Sequence, residues 1–190
     1  MGIQGQHMNF NVKADSEGIK KVLETVKEEV TPNHEQREKL REAERVISER
    51  LKEKGLKYVL GGSYARDTWL PEDPDIDFFV LYDPELGADE IGRKGLEDLK
   101  DVVKGFNYWL NYAEHPYIEG TINGIKFNLI PVADVTLGQW ITSMDRSRYH
   151  NDYLIKKLSD DLRTEIRVFK KFLRSNGLYG AEIKVGGLSG

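Results

Sequence analysis

Apolar residues recur at helical spacing in the first third of the chain and predict two helices. The first covers about residues 16–30, and its apolar stripe contains Ile19, Val22, Leu23, Val26 and Val30. A helix-start signal at Thr31-Pro32 precedes the second, which is expected to end at Gly55. Its buried side is predicted to contain Leu40, Ala43, Val46, Ile47 and Leu51. We interpret both helices as packing elements.

The middle of the chain carries strand signals, and the end of the chain carries helix signals. The predicted strands cover 56–60, 75–82, 107–113, 117–122 and 125–130. The predicted helices cover 64–70, 88–105, 146–158 and 160–176. Asn123-Gly124 predicts a hairpin turn between the last two strands, because both positions accept positive φ. We therefore expect a mixed, mostly antiparallel sheet with flanking helices, in the α/β (α+β) class.

The last predicted helix separates basic from apolar residues. Its basic side contains Arg163, Arg167, Lys170, Lys171 and Arg174. Its core side is predicted to contain Ile166, Phe169, Phe172 and Leu173. The basic side is either a solvated surface or a surface that faces phosphate, and the helical pattern alone does not decide between the two.

Composition limits the possible chemistry. The chain has 190 residues and no cysteine, so disulfides and thiolate metal sites are excluded and a hard cation such as Mg²⁺ is favoured. The net charge of −4 gives no global reason to expect nucleic acid, so any RNA contacts must be local. With no long apolar run and no signal-peptide pattern, we expect a cytoplasmic protein without a membrane partner.

The chain is expected to contain one complete domain and part of another. Residues 1–8 are interpreted as an added leader, with a natural frayed terminus as the alternative. Residues 9–143 are predicted to form the head domain, and 144–190 the beginning of a helical neck. The glycine-rich run at 186–190 suggests that the sequence stops inside a larger protein.

Two short motifs carry the strongest chemical signal. Gly61-Gly62-Ser63 lies between a predicted strand and a short helix, where close backbone approach and free amides suit phosphate oxygens. Arg66 follows one turn later and would add donors to the same anion. Asp75 and Asp77 open the next strand, and alternation places both on one side of it. Such paired carboxylates fit the divalent ions of phosphoryl transfer.

Each motif alone is common, because Gly-Gly-Ser is usually a tight turn and Asp-x-Asp is frequent in loops. Their combination resembles a known signature: GGSYARDTWLPEDPDIDFFVLYD is similar to the polymerase-β-type nucleotidyltransferase superfamily. YAEHPYIEG, MDRSRYHNDYL and FLRSNGLYGAEIKVGGLSG are similar to the class I, archaeal-type CCA-adding tRNA nucleotidyltransferases. The similarity extends from about residue 16 to the end, which makes the chain resemble an amino-terminal portion of such an enzyme.

The resemblance implies a polymerase-β-like palm fold and assigns site residues. It implies that Ser63 and Arg66, beside Gly62, contact an incoming triphosphate, and that Asp75 and Asp77 bind the catalytic Mg²⁺ ions. It further implies that three residues reach the triphosphate or the sugar from the neck, and these are His150, Lys170 and Tyr179. Without the resemblance, His150 would be an ordinary polar helix residue and Tyr179 a core aromatic.

The implied reaction is template-independent addition of C and A from CTP and ATP to a tRNA 3′ end, with release of pyrophosphate. The oligomeric state stays open, with a homodimer of the full-length enzyme among the possibilities. Two rival hypotheses are a catalytically inactive module that binds nucleotide or RNA, and a small-substrate nucleotidyltransferase of the same superfamily.

The sequence departs from the family pattern at Asn128. The family has a third carboxylate there, whereas Phe127-Asn128-Leu129-Ile130-Pro131 presents an amide. A neutral amide is a poorer metal ligand than a carboxylate and cannot accept the proton of an attacking hydroxyl. Either an Asp was replaced in the laboratory, which we favour, or this is a natural member with altered chemistry. In both cases we expect nucleotide binding with impaired transfer.

Overall fold

A five-stranded mixed sheet forms the centre of the described part of the molecule. The computed structural model describes residues 16–112 and 116–178. The strands are β1 (Tyr58–Gly61), β2 (Asp75–Tyr82), β3 (Asn107–Tyr112), β4 (Pro116–Ile122) and β5 (Ile125–Ala133). Their order is β1-β2-β5-β4-β3. Only β2 and β5 are parallel among the paired strands described, which confirms the prediction of a mixed, mostly antiparallel sheet.

Helices surround this sheet. They are α1 (Ser16–Val30), α2 (His34–Glu53), α3 (Gly62–Ala65), α4 (Gly87–Val102), α5 (Ser147–Lys157) and α6 (Asp160–Ser175). Asn33 caps α2: its side chain accepts a hydrogen bond from the Gln36 amide, and the Gln36 side chain accepts one from the Asn33 amide, both at 2.9 Å. This capping box fixes the start of α2 just after the predicted Thr31-Pro32 signal.

The two sides of the sheet have different roles. The side we call the back face contains Ile76, Phe78 and Val80 of β2, which pack into one core with α2 and α4. Side chains alternate along a strand, so Asp75 and Asp77 lie on the opposite side, the front face. The back face therefore stabilises the sheet, and the front face presents the polar groups.

Strand β5 is longer than predicted. It continues through Pro131 to Ala133, which pairs with Tyr82 of the parallel neighbour β2. Pairing of β5 with β4 reaches only Leu129, so Pro131 lies beyond that ladder, where its missing amide proton is tolerated. The predicted end at residue 130 was therefore wrong, because long-range pairing decided it. The brief helix was also misplaced, since it covers Gly62–Ala65.

The predicted faces of α6 were also wrong. Phe169 and Phe172, expected in the core, are 60% and 58% exposed, whereas Arg167 is 3% exposed. The basic side faces the loop between α3 and β2, where carbonyls and carboxylates accept its hydrogen bonds. The solvated-surface interpretation of the basic residues is therefore incorrect.

Several sequence predictions fall on residues outside the described ranges. These are the leader at 1–8, Tyr179, the glycine-rich end at 186–190, and the end of the strand predicted at 107–113. Within the described ranges, no helix is both long enough and apolar enough to cross a membrane.

Candidate nucleotide and metal site

The glycine turn after β1 contacts the acidic strand β2. Gly62 has a φ of +59°, and a Cβ atom built on it would lie 1.8 Å from Oδ2 of Asp77. Only glycine fits this approach without displacing the carboxylate. The Ser63 hydroxyl donates a hydrogen bond to Oδ1 of Asp75 at 3.1 Å. The structure thus brings together Gly62, Ser63, Asp75 and Asp77.

Asp77 and Asn128 form a hydrogen-bonded pair across β2 and β5. They are partners in the parallel register, and Nδ2 of Asn128 donates to Oδ1 of Asp77 at 2.8 Å. Burial, together with the nearby Asp75 carboxylate, raises the pKa of Asp77 to about 6, although Asn128, Arg66 and Lys170 oppose the shift. The Oδ1 atom of Asn128 is buried and has no hydrogen-bond partner among the described residues. The front face therefore contains, at Asn128, a side-chain oxygen that lacks a hydrogen-bond donor within the described ranges.

Two cationic side chains face these acids. Lys170 of α6 donates to the carbonyl of Thr68 at 2.9 Å and lines a cleft with Ser63 and Asp75. Burial and the neighbouring Arg66 lower the pKa of Lys170 to about 8, and Asp75 acts in the opposite direction. The structure therefore places Arg66 and Lys170 near the acids, as expected for groups that bind an anion.

His150 is not brought into this contact network. It lies exposed on α5, next to the buried Asn151. Asn151 donates to the Leu60 carbonyl at 3.1 Å, and its side-chain oxygen accepts from Arg66 at 3.2 Å. Asn151 therefore orients Arg66 and fixes α5 against β1. The sequence prediction missed Asn151, since one amide on a polar helix gives no signal of burial.

Asp73 was missed as well, although it stands two residues before Asp75. It accepts a hydrogen bond from Lys126 at 3.0 Å and pairs with Arg174 of α6. Both Asp73 and Arg174 line the cleft that contains Lys170. The alternating acids of the EDPDID segment were the available signal, but they could not identify the basic partners.

A charged cluster fixes α6 beside the site. Asp67 accepts from Arg37 of α2 at 2.8 Å and pairs with the buried Arg167 of α6 at 2.9 Å. Arg163 donates to the backbone carbonyl of Arg66 at 3.1 Å. Because Lys170 lies on the same helix, this cluster sets the position of the Lys170 side chain.

The oxygen groups of the front face suit one hard cation. Asp75 and Asp77 supply carboxylates, and the unpartnered Asn128 oxygen supplies a neutral carbonyl, a donor set that Mg²⁺ accepts. No three His, Asp or Glu side chains of residues 16–112 and 116–178 converge on a shared metal position. A cavity of about 840 Å³ lies elsewhere, beside Tyr82 and Asp83 at the far end of β2, and contains none of these groups.

This fold and this arrangement of groups define a nucleotidyltransferase domain. The family model described as "Nucleotidyltransferase domain" matches residues 40–150, and the chain belongs to that family. Among curated relatives, the chain is similar to the CCA-adding enzymes of two archaea. It is 38% identical to that of Sulfurisphaera tokodaii over 89% of this chain, and 39% identical to that of Archaeoglobus fulgidus over 90%.

The chain spans 41% and 39% of the length of those two relatives. Solved structures with the same fold include the RNA terminal uridylyl transferase Cid1, with a TM-score of 0.60 and 18% identity over 83% of this chain and 46% of the other. The polymerase core of TRAMP, an RNA surveillance complex, gives a TM-score of 0.57 and 22% identity over 83% and 48% of the two chains. These structural likenesses show the fold alone.

Proposed function

We propose that this chain is the nucleotide-binding head of a template-independent tRNA nucleotidyltransferase that adds C and A from CTP and ATP to the tRNA 3′ end. The contact of Ser63 with Asp75, with Gly62 against Asp77, is the observation that carries the proposal. The archaeal relatives named CCA-adding enzyme support tRNA as the acceptor.

The site residues divide into two groups by charge. Ser63, Arg66 and Lys170 bind the triphosphate, since Ser63 and Lys170 line the cleft and Arg66 lies close enough to act with burial in lowering the pKa of Lys170. Asp75 and Asp77 hold Mg²⁺, which when bound neutralises phosphate charge and acidifies the acceptor hydroxyl. His150 and Tyr179 remain proposed nucleotide contacts on the strength of the sequence resemblance.

The reaction is a displacement at the α-phosphorus of CTP or ATP. The 3′ oxygen of the acceptor forms the new bond, the bond from the α-phosphorus to the bridging oxygen breaks, and pyrophosphate leaves. The hydroxyl proton must pass to a base, and Asn128 cannot accept it. The contribution of the protein is therefore mainly positioning and neutralisation of charge.

Replacing Asn128 with Asp tests this function. We expect Asn128→Asp to raise the rate of CMP addition to a tRNA acceptor minihelix about 100-fold, because a carboxylate can take the proton and bind the cation. The control is Asn107→Asp, which makes the same change at an exposed position of β3 and should leave the rate unaltered. If the unaltered chain and Asn128→Asp add CMP at the same rate, the proposal is contradicted.

Asn128 also favours a second candidate, a module that binds nucleotide without transferring it. Pyrophosphate release and CTP affinity separate the two functions when they are measured on the same sample. Tight CTP binding without pyrophosphate release, in the unaltered chain and in Asn128→Asp alike, would favour the binding module.

A further inference from the structure

The front face of the sheet has a covered part and an open part. In the covered part Phe79, Ile130 and Val132 are buried, and Met144 of the 3₁₀ turn Ser143–Arg146 packs against them. The open part is a band of residues nearer the start of β2, and every member is half-buried or exposed. We call this band the polar track, and its residues are Asp75 and Asp77 of β2, Lys126 and Asn128 of β5, Glu119 of β4 and Trp109 of β3.

Strand register places Trp109 at the outer end of the polar track. Asp77 of β2 pairs with Asn128 of β5, which pairs in turn with Glu119 of β4. Glu119 pairs with Trp109 of the edge strand β3. Directly opposed residues on neighbouring strands project to the same side of a sheet. The indole therefore lies on the same face as Asp77, at a distance of about 14 Å across three strand spacings.

Trp109 differs from the other two tryptophans of the chain in its surroundings. Trp69 is buried in the core, and the ring of Trp140 packs against that of Tyr149 with 5.2 Å between the centroids. Trp109 is 42% exposed, and no ring or cation of residues 16–112 and 116–178 packs on its indole. An apolar side chain that stays exposed on an edge strand is a liability in a free protein. Trp109 is therefore a candidate for contact with a ligand.

The neighbouring elements restrict how an acceptor can reach Asp75 and Asp77. On the β1 side, Asn151 fixes α5 against the sheet, and Lys170 of α6 lines the cleft that contains Asp75. Further along β2, the buried cluster around Phe79 occupies the front face. Among the described elements, the polar track is the remaining approach along this face. A stacked strand rises about 3.4 Å per nucleotide, so an acceptor on the track would pass the indole within its last few nucleotides.

We propose that Trp109 is a stacking platform for a base near the 3′ end of the acceptor RNA. This inference rests on the proposed function and adds the path of the acceptor to that site. Stacking suits this position because every base has an apolar ring face, and an indole binds such faces without reading the sequence. The Glu119 carboxylate on the same track repels phosphate, so the bases face the sheet and the sugar-phosphate backbone faces solvent.

Fluorine NMR tests this contact without any reaction. The three tryptophans of the whole chain are replaced by 5-fluorotryptophan, and the Trp109 resonance is the one that is missing from Trp109→Phe. A tRNA acceptor minihelix with an unpaired 3′ end is then added. We expect the minihelix to shift the Trp109 resonance and to leave the resonance of the buried Trp69 in place.

Affinity measurements give the size of the effect. Binding of a fluorescein-labelled minihelix is followed by anisotropy, and binding of Mg²⁺-CTP to the same samples by calorimetry. We expect Trp109→Ala to weaken minihelix binding about tenfold, a loss within the range for one base stacked on an aromatic ring. The affinity for Mg²⁺-CTP should change by less than about twofold, because the indole lies about three strand spacings from Asp77.

Tyr108→Ala is the matched control. Tyr108 is the neighbouring residue of β3 and is 41% exposed, but it pairs with the buried Gly120, so its ring lies on the back face. Its removal should leave minihelix affinity unchanged. Trp109→Phe keeps an aromatic ring and should retain most of the affinity. Thermal melts of every variant exclude loss of folding as the cause.

The outcomes separate this inference from the proposed function. If Trp109→Ala and Tyr108→Ala bind the minihelix equally well, or if RNA leaves the Trp109 resonance in place, Trp109 does not contact the acceptor. Normal Mg²⁺-CTP binding by those samples would still support the proposed function, whereas a chain that binds neither CTP nor RNA would contradict both. A dimer in sedimentation that Trp109→Ala abolishes would overturn the inference, since β3 would then contact a second copy of the chain.

Discussion

At the scale of single residues, the site depends on one close approach between the backbone and an acid. The Gly62 backbone lies so near the Asp77 carboxylate that any Cβ atom would overlap it. The Gly-Gly-Ser motif predicted a close approach of the backbone, but to phosphate oxygens and not to the Asp77 side chain. The motifs could not predict the pKa of about 6 for Asp77, which depends first on burial.

Substituting Gly62 tests this approach against a matched position. Gly62 and Gly55 both have positive φ, but a Cβ atom on Gly55 would meet nothing within 4 Å. We expect Gly55→Ala to cost about 1 kcal/mol of unfolding free energy from backbone strain alone, with normal nucleotide binding. Gly62→Ala should in addition abolish Mg²⁺-CTP binding in calorimetry. Normal binding by Gly62→Ala would contradict the geometry described.

Lys170 predicts a pH dependence of nucleotide binding. Its pKa is lowered to about 8, so the ammonium is charged at pH 7 and becomes neutral as the pH rises through 8. A bound triphosphate favours the charged form, and CTP affinity should therefore fall about tenfold between pH 7 and 9, the effect of about one pKa unit. Lys170→Arg should flatten the profile, because arginine stays protonated. If the CTP affinity of Lys170→Arg still falls as steeply with pH, a group other than Lys170 causes the pH dependence.

At the scale of elements, α6 shows where periodicity succeeds and where it fails. The sequence predicted the helix and separated its basic from its apolar residues, because spacing alone determines both. It assigned burial to the wrong side. That choice depends on Asp67, Glu72, Asp73 and the carbonyls of the preceding loop, which pair with the basic residues. Hydrophobicity patterns do not contain such long-range ion pairs.

Removing the Asp67 carboxylate should destabilise the packing of α6 beside the site. Asp67→Ala leaves the buried Arg167 without its carboxylate partner, and an uncompensated buried charge costs about 3 kcal/mol. We expect the free energy of urea unfolding to fall by about that amount, whereas Glu97→Ala on the surface should change it by less than about 0.5 kcal/mol. Adding Arg167→Met to Asp67→Ala should recover part of the loss. If the double variant loses as much unfolding free energy as Asp67→Ala alone, the unpaired charge of Arg167 is not the cause of the loss.

At the scale of the whole molecule, the site is assembled from segments of very different separation. Ser63 and Asp75 are 12 positions apart, and the two local motifs that contain them were predicted to serve the same nucleotide. Lys170 contacts the carbonyl of Thr68 from 102 positions away, and here the sequence offered only the basic side of the last helix and the family resemblance.

The most direct test of the account is the position of a bound divalent ion. Crystals soaked with MnCl₂ and a non-hydrolysable CTP analogue would be measured for anomalous scattering from manganese. We predict a manganese peak within about 2.5 Å of carboxylate oxygens of both Asp75 and Asp77, with triphosphate density against Ser63 and Arg66. A triphosphate bound elsewhere, or an ion that touches neither aspartate, would contradict the central claim.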